Sequence, residues 1–167
     1  GFVRDPATGR PSGVWVGRRS ENKATYPGLL DQMVAGGQPA GLSYMENMRK
    51  ECAEEASLPP HVVARAHAAG MVAYRYRTRK GLSTKVLVTF DLEMPAGLTP
   101  VCADGEVEEF TLMRVEDAVD SIRHSLPRWK PNSALVMLDF AKRHGFISPD
   151  EACFMELARG LPGGLIT

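Results

Sequence analysis

The stretch AGGQPAGLSYMENMRKECAEEASLPP, residues 35–60, runs from a glycine-rich turn into a helix and out through two prolines. Gly36, Gly37 and Gly41 make the turn. Ser43 followed three residues later by Glu46 is a capping-box pattern, so a helix begins there. Pro59 and Pro60 lack the amide that a continuing helix requires. At about 100° per residue, Glu54 falls roughly 60° to one side of Glu51 and Glu55 roughly 40° to the other. The three carboxylates therefore share one sector. Met45, Met48, Cys52 and Ala56 form the neighbouring apolar stripe, which should face the core. The acidic sector then borders the buried face.

Like charges four residues apart cost a helix a few tenths of a kcal/mol. A cation among these carboxylates removes that cost. A hard divalent ion takes oxygen ligands and commonly binds substrate phosphates as well. Taken alone, the helix also fits a solvated acidic face laced by Glu46–Lys50 and Lys50–Glu54 pairs. The order of glycine turn, cap and acidic triplet favours the ion.

That order resembles the Nudix box, G-x5-E-x7-R-E-U-x-E-E-x-G-U with U apolar. Gly36 opens the box; Glu51, Glu54 and Glu55 match its three downstream glutamates, and Cys52 and Leu58 its apolar positions. Three positions depart: Leu42 stands for the first glutamate, Lys50 for the arginine and Ser57 for the late glycine. The wider pattern RRS-x-x-K-x-x-x-PG-x-LD-x-MVAGGQPAG-x-S-x-x-EN-x-x-KEC-x-EEA resembles one subfamily, the Nudix domain of fungal thiamine pyrophosphokinase-type proteins and their plant and bacterial relatives. The likeness continues through Tyr74 and Tyr76, residues 104–110, 130–132 and 139–145. In that subfamily the departures at the first glutamate and the arginine look normal.

The resemblance implies an α/β fold, a Nudix-type α/β/α sandwich with a mixed β-sheet, as one domain over 1–167. It also implies hydrolysis of the pyrophosphate link of a nucleoside-diphosphate-like substrate with Mg2+ (or Mn2+). Thiamine diphosphate or a damaged, oxidised analogue, cleaved to the monophosphate, is the expected substrate. Glu51, Glu54 and Glu55 are the expected metal ligands and catalytic residues. Glu106 is the expected further ligand or general base, with Glu109 or Glu108 behind it. Arg18, Arg19, Lys23, Gly36, Gly37 and Lys130 are expected at the substrate; arginine suits forked phosphate contacts and lysine a point charge. Trp129, Tyr26 or Tyr74 could stack on a cationic aromatic ring.

At 167 residues the chain is large enough for a real core. A formal net charge of zero leaves no electrostatic footprint for nucleic acid or an anionic membrane. No apolar run approaches a membrane span, and no signal peptide is visible. Three cysteines, an odd count without metal-ligand spacing, read as buried thiols in a reduced, cytoplasmic protein. The start at Gly1 reads as a domain trimmed of a preceding segment. A small-molecule diphosphate is the implied partner, and oligomeric state is not encoded legibly.

The remaining elements follow from local patterns. Strands are expected at 14–19, 31–37 and 110–114, and a hairpin from 71–78 and 83–93 around a turn at Lys80-Gly81. Helices are expected at 61–69 and 115–126, after a cap at Asn132 or Ser133, and from 148 to about 159. Gly145 is the expected C-cap. Three rival functions are weighed. A hydrolase of oxidised nucleotides or nucleotide sugars shares the chemistry. An isopentenyl diphosphate isomerase would need a cysteine and a histidine just before the box, where Val34, Ala35 and Gly37 stand. A non-catalytic Nudix module is supported mainly by Leu42.

Overall fold

A computed structural model describes residues 1–79, 81–158 and 165–166. The central strand is β2 (Pro11–Arg19). Strand period puts Val14 and Val16 on one face and Trp15 on the other, and each face meets its own core. Strand β6 (Val107–Arg114) pairs antiparallel with β2 along one edge, from Gly13 to Arg19. The short strands β1 (Phe2–Arg4) and β3 (Leu30–Gln32) therefore lie end to end on the other edge, both antiparallel.

Helices cover both faces. α3 (Val115–Ser125) and α4 (Pro131–Arg143) bury Val119, Met137 and Phe140 against Val14 and Val16. α1 (Tyr44–Ala56) and the single turn α2 (Pro60–Val63) bury Cys52, Ala56 and Val62 on the opposite side with Met33. Each fully buried large apolar side chain contributes about 1.5–3 kcal/mol by leaving water. The result is an α/β/α sandwich, as expected. The second sheet is the long hairpin β4 (His67–Thr78) and β5 (Gly81–Asp91), with β7 (Leu165–Ile166) parallel to β4. It is tied to the first sheet at Phe2, whose amide donates to Leu92 O at 2.9 Å and whose carbonyl accepts from Met94 N at 2.8 Å. The mixed character comes from β7 and from isolated parallel bridges at Phe2–Glu93 and Leu30–Trp129.

Several local expectations are corrected. The helix expected at 61–69 stops at Val63, and β4 already begins at His67. Gly70 sits at a register shift in the β4–β5 ladder with φ +150°. Val62, Val63 and Ala66 repeat at helical spacing because they fill the core beside α1, not because the helix continues. Neither Asn132 nor Ser133 caps α4; Lys130 is its N-cap and Pro131 its first residue, without a side-chain cap bond. The last helix, α5, spans only Phe154–Ala158, and the expected end at Arg159 and the turn residue Lys80 lie outside the described residues.

α1 is closed at both ends by local chemistry. Ser43 Oγ accepts from Glu46 N at 3.2 Å, while Glu46 Oε2 accepts from Ser43 N at 2.8 Å. At the other end Ser57 takes φ +51°, ψ +35°, and its amide donates to Cys52 O. That left-handed conformation costs a residue with a Cβ about 1–2 kcal/mol. It accounts for the glycine that the Nudix pattern carries there. Ser57→Gly removes that strain but adds about 0.5–1 kcal/mol of chain entropy. The variant is expected to gain about 0.5–1 kcal/mol in urea denaturation, net of the two; a loss of stability would contradict the assignment of strain to Ser57.

Candidate active site

The capped helix and the glycine turn meet closely. A Cβ on Gly36 would meet the Glu51 carboxyl, so with glycine there the turn lies directly on that side chain without displacing it. Ala35 N donates to Glu55 Oε2 at 3.0 Å, and Asn47 Nδ2 donates to Gly37 O at 3.1 Å. The turn is thus bonded to α1 at two residues. A cavity of about 460 Å3 opens beside it, walled by the turn, by α1 at Lys50, Glu51, Glu54 and Glu55, and by Asp104 and Glu106 before β6. Arg19, Lys23, Thr25 and Lys130 complete the wall.

Carboxylate oxygens of Glu55, Asp104 and Glu106 lie within 4.8 Å of one another. Glu55 is only 7% exposed. Burial raises its carboxyl to about 7; the Ala35 amide opposes this, and Glu51, Asp104 and Glu106 add to it. Asp104 was not anticipated. Its signal was the Asp-Gly-Glu turn: Gly105 takes φ +77°, and Asp104 Oδ1 accepts from Glu106 N at 2.8 Å, which turns both acids to one side.

The other glutamates divide. Glu54, with its side chain 51% exposed, pairs with Lys50 Nζ at 2.6 Å, and Glu51 approaches the same Nζ at 3.5 Å. The expected Lys50–Glu54 pair is therefore present, but Glu46 is spent on the Ser43 cap and not on Lys50. Glu106 pairs with Lys23. Among the described residues no lysine or arginine pairs with Glu55 or Asp104. Glu108 and Glu109 are not in the cavity wall; they pair with Arg18 at 2.9 and 3.8 Å. Arg18 lies opposite Glu109 in the β2–β6 ladder and is not among the residues that wall the cavity.

Arg19 and Lys130 share one buried partner. Asp31 Oδ2 accepts from Arg19 Nη1 and Lys130 Nζ, each at 2.8 Å. Asp31 Oδ1 accepts from Gln32 N at 2.8 Å and from Ser133 Oγ, which explains why Ser133 does not cap α4. Burial alone would raise the Asp31 carboxyl, but Lys130 and these hydrogen bonds outweigh it and hold it below the usual range. Arg19 also donates to Tyr26 O at 3.0 Å and Thr25 O at 2.8 Å, so its guanidinium clamps the loop at 20–28 while lining the cavity. Trp129 is 1% exposed and donates from Nε1 to Ser121 Oγ at 2.8 Å; it is core and not a stacking surface.

Residues 2–139 match the NUDIX domain family. The chain belongs to the Nudix family. It is 41% identical over 151 residues to the chloroplastic Nudix hydrolase 24 of Arabidopsis thaliana, covering 90% of this chain and 41% of that protein. The chloroplastic Nudix hydrolase 20 of the same plant is 41% identical over 148 residues, 89% of this chain and 39% of that protein. The chain thus spans about two fifths of the length of these relatives. Among solved structures, a Deinococcus radiodurans protein superposes with a TM-score of 0.62 at 20% identity, covering 82% of this chain and 77% of that one. A C. elegans Ap4A hydrolase superposes with a TM-score of 0.55 at 11% identity, covering 87% and 93%. At these identities the superpositions show the Nudix fold.

The position of Glu55 generates a pH dependence. Its folded-state carboxyl, near 7, lies above the ordinary value of 4.5, so the native state holds the proton more tightly than the unfolded chain. Its contribution to metal-free stability is complete below about pH 4.5 and is lost as pH rises through about 7. Urea denaturation in chelator should show this fall, by about 3 kcal/mol at most. Glu55→Gln should flatten it; an unchanged slope in that variant would place the proton elsewhere.

Proposed function

We propose that this Nudix domain is a divalent-metal-dependent hydrolase that cleaves the pyrophosphate link of a diphosphate compound to a monophosphate. The preferred substrate in this reading is thiamine diphosphate or an oxidised analogue of it. The observation that carries the proposal is the meeting of Glu55, Asp104 and Glu106 in a cavity whose wall also holds Lys23, Lys130 and Arg19.

The donor set fits Mg2+ or Mn2+. Its atoms are carboxylate oxygens, the ligands that hard cations take. Burial raises Glu55, repulsion from Glu51, Asp104 and Glu106 raises it further, and a cation among the acids would relieve that repulsion. Glu55, Asp104 and Glu106 would hold the ion, with Glu51 and Glu54 on the same wall. The bound ion would supply charge neutralisation of the phosphates and acidify a water.

The protein's own groups do the rest. Lys130, fixed by Asp31, presents a positive charge to phosphate oxygens. Arg19 holds the loop at 20–28 against the cavity through Thr25 and Tyr26. Lys50 spans Glu51 and Glu54 as a point charge, where the family's arginine would offer a planar fork. Glu51 and Glu54 stand outside the three-acid cluster and can accept the proton of an attacking water. Phosphoryl transfer asks for such positioning and charge, and no covalent nucleophile is needed.

Turnover of thiamine diphosphate and oxythiamine diphosphate with Mg2+ should release the monophosphates. Glu55→Gln and Asp104→Asn should each lower kcat by about 100-fold or more. Oxidised nucleotides and nucleotide sugars in the same panel test the rival substrates. Wild-type turnover no higher than that of Glu55→Gln across the whole panel would leave a binding module and not an enzyme.

A further inference from the structure

We propose that the outward face of the β4–β5 hairpin is a docking surface for a bilayer rich in anionic lipid. The inference stands apart from the hydrolase reading, because no residue of the hairpin walls the cavity. It begins with charge. Residues 71–90 hold five lysines and arginines and no aspartate or glutamate. The net charge of zero is therefore a sum over an uneven distribution, a cationic hairpin offset by acids elsewhere. Arg75, Arg77, Arg79 and Lys85 are exposed, and among the described residues none of them pairs with a carboxylate. Arg4, Arg18 and Arg123, in other parts of the surface, each have such a partner.

The register of the ladder puts apolar side chains on the same face as two of these cations. Met71 lies opposite Val88, Ala73 opposite Val86, Arg75 opposite Thr84 and Arg77 opposite Leu82. Strand period sends all eight side chains to one side. The other side carries Val72, which is buried, and on β5 Thr89 and Asp91, also buried. Asp91 accepts from Arg143 of α4 at 2.6 and 2.9 Å, so that side is turned to the body of the domain. The first side is turned to solvent: Met71 is 69% exposed, Leu82 63% and Val86 57%. Apolar side chains grouped in the open and rimmed by polar ones mark an interaction site.

The partner has to answer both kinds of group. An anionic bilayer does so: its headgroups take arginine and lysine, and the boundary of its acyl region takes Met71, Val86 and Leu82. The long stems of Arg75 and Arg77 let their apolar neighbours sink below the charged ends. A nucleic acid backbone would answer the cations and leave the apolar side chains in water. A folded protein partner is selected by shape as well as charge, and an open two-stranded ladder offers it no groove.

Co-sedimentation at low ionic strength tests this, with vesicles of equimolar phosphatidylserine and phosphatidylcholine against vesicles of phosphatidylcholine alone. The protein should bind the first and not the second, and added salt should weaken the binding. Arg75→Gln with Arg77→Gln should lower the partition coefficient about 25-fold, about fivefold for each charge. Met71→Ser with Val86→Thr should lower it about tenfold and keep the salt dependence. Arg65→Gln with Arg128→Gln removes two exposed cations outside the hairpin and should keep the wild-type value. Failure of the wild type to sediment with the mixed vesicles overturns the proposal. So does an equal loss in the Arg65 and Arg128 variant, or full binding by the Met71 and Val86 variant. Binding of single-stranded RNA or polyglutamate without binding of vesicles assigns the face to another class of partner and overturns it as well.

Discussion

A single buried carboxylate joins the parts of this domain that build the cavity. Asp31 is 5% exposed and accepts from Arg19 on β2, Lys130 at the N-cap of α4 and Ser133 in its first turn. Removing a carboxylate from water costs several kcal/mol unless it is paired and hydrogen-bonded. Here two cations and two further donors meet that demand, and the carboxyl stays ionised. In return, partners from distant parts of the chain are held at 2.8 Å from one oxygen. Two positive charges on one negative charge leave a surplus, and both side chains that carry it line the cavity.

The acidic side of the cavity depends on a different constraint, the close seating of the glycine turn on α1. Gly36 lies directly on the Glu51 side chain, and beside it the Ala35 amide donates to Glu55. The Ser43 cap and the left-handed Ser57 fix where α1 begins and ends, and therefore which of its faces Glu51 and Glu55 occupy. Asp104 and Glu106 arrive from a separate segment, through a turn that bonds one to the other. The three-acid cluster is thus assembled from two rigid local pieces.

Features set by neighbouring residues were legible in the sequence. The capping box, the helix of the acidic triplet and the hairpin follow from periodicity, caps and turns, and the three-layer sandwich from the Nudix resemblance. Features set by partners far along the chain were not. Ser133 reads as a helix cap until Asp31 takes its hydroxyl, and the pairing of Arg18 with Glu108 and Glu109 appears only when β6 is laid beside β2. Trp129 reads as a stacking surface until α3 supplies Ser121 for its indole. Val62, Val63 and Ala66 mimic a longer helix because a core can be filled at helical spacing by a chain that has stopped being helical. Asp104 was hidden by its neighbours: in a run with Glu106, Glu108 and Glu109 it was not singled out, and the Arg18 pairs are what separate the acids at 108 and 109 from those of the cavity.

Charge balance makes the two sides of the cavity depend on each other. Its wall carries Glu51, Glu54, Glu55, Asp104 and Glu106 against Arg19, Lys23, Lys50 and Lys130. Two of those cations already answer to Asp31, and Lys23 and Lys50 answer to Glu106 and Glu54. A diphosphate entering alone brings further negative charge to a wall that has none of its positive charge to spare beyond the surplus at Asp31. At 4 Å, two like charges in a partly solvated site repel by about 4 kcal/mol. In the proposed hydrolase, a divalent cation among the acids would offset much of that repulsion, and Lys23 and Lys50, drawn off Glu106 and Glu54, would be free to meet phosphate oxygens.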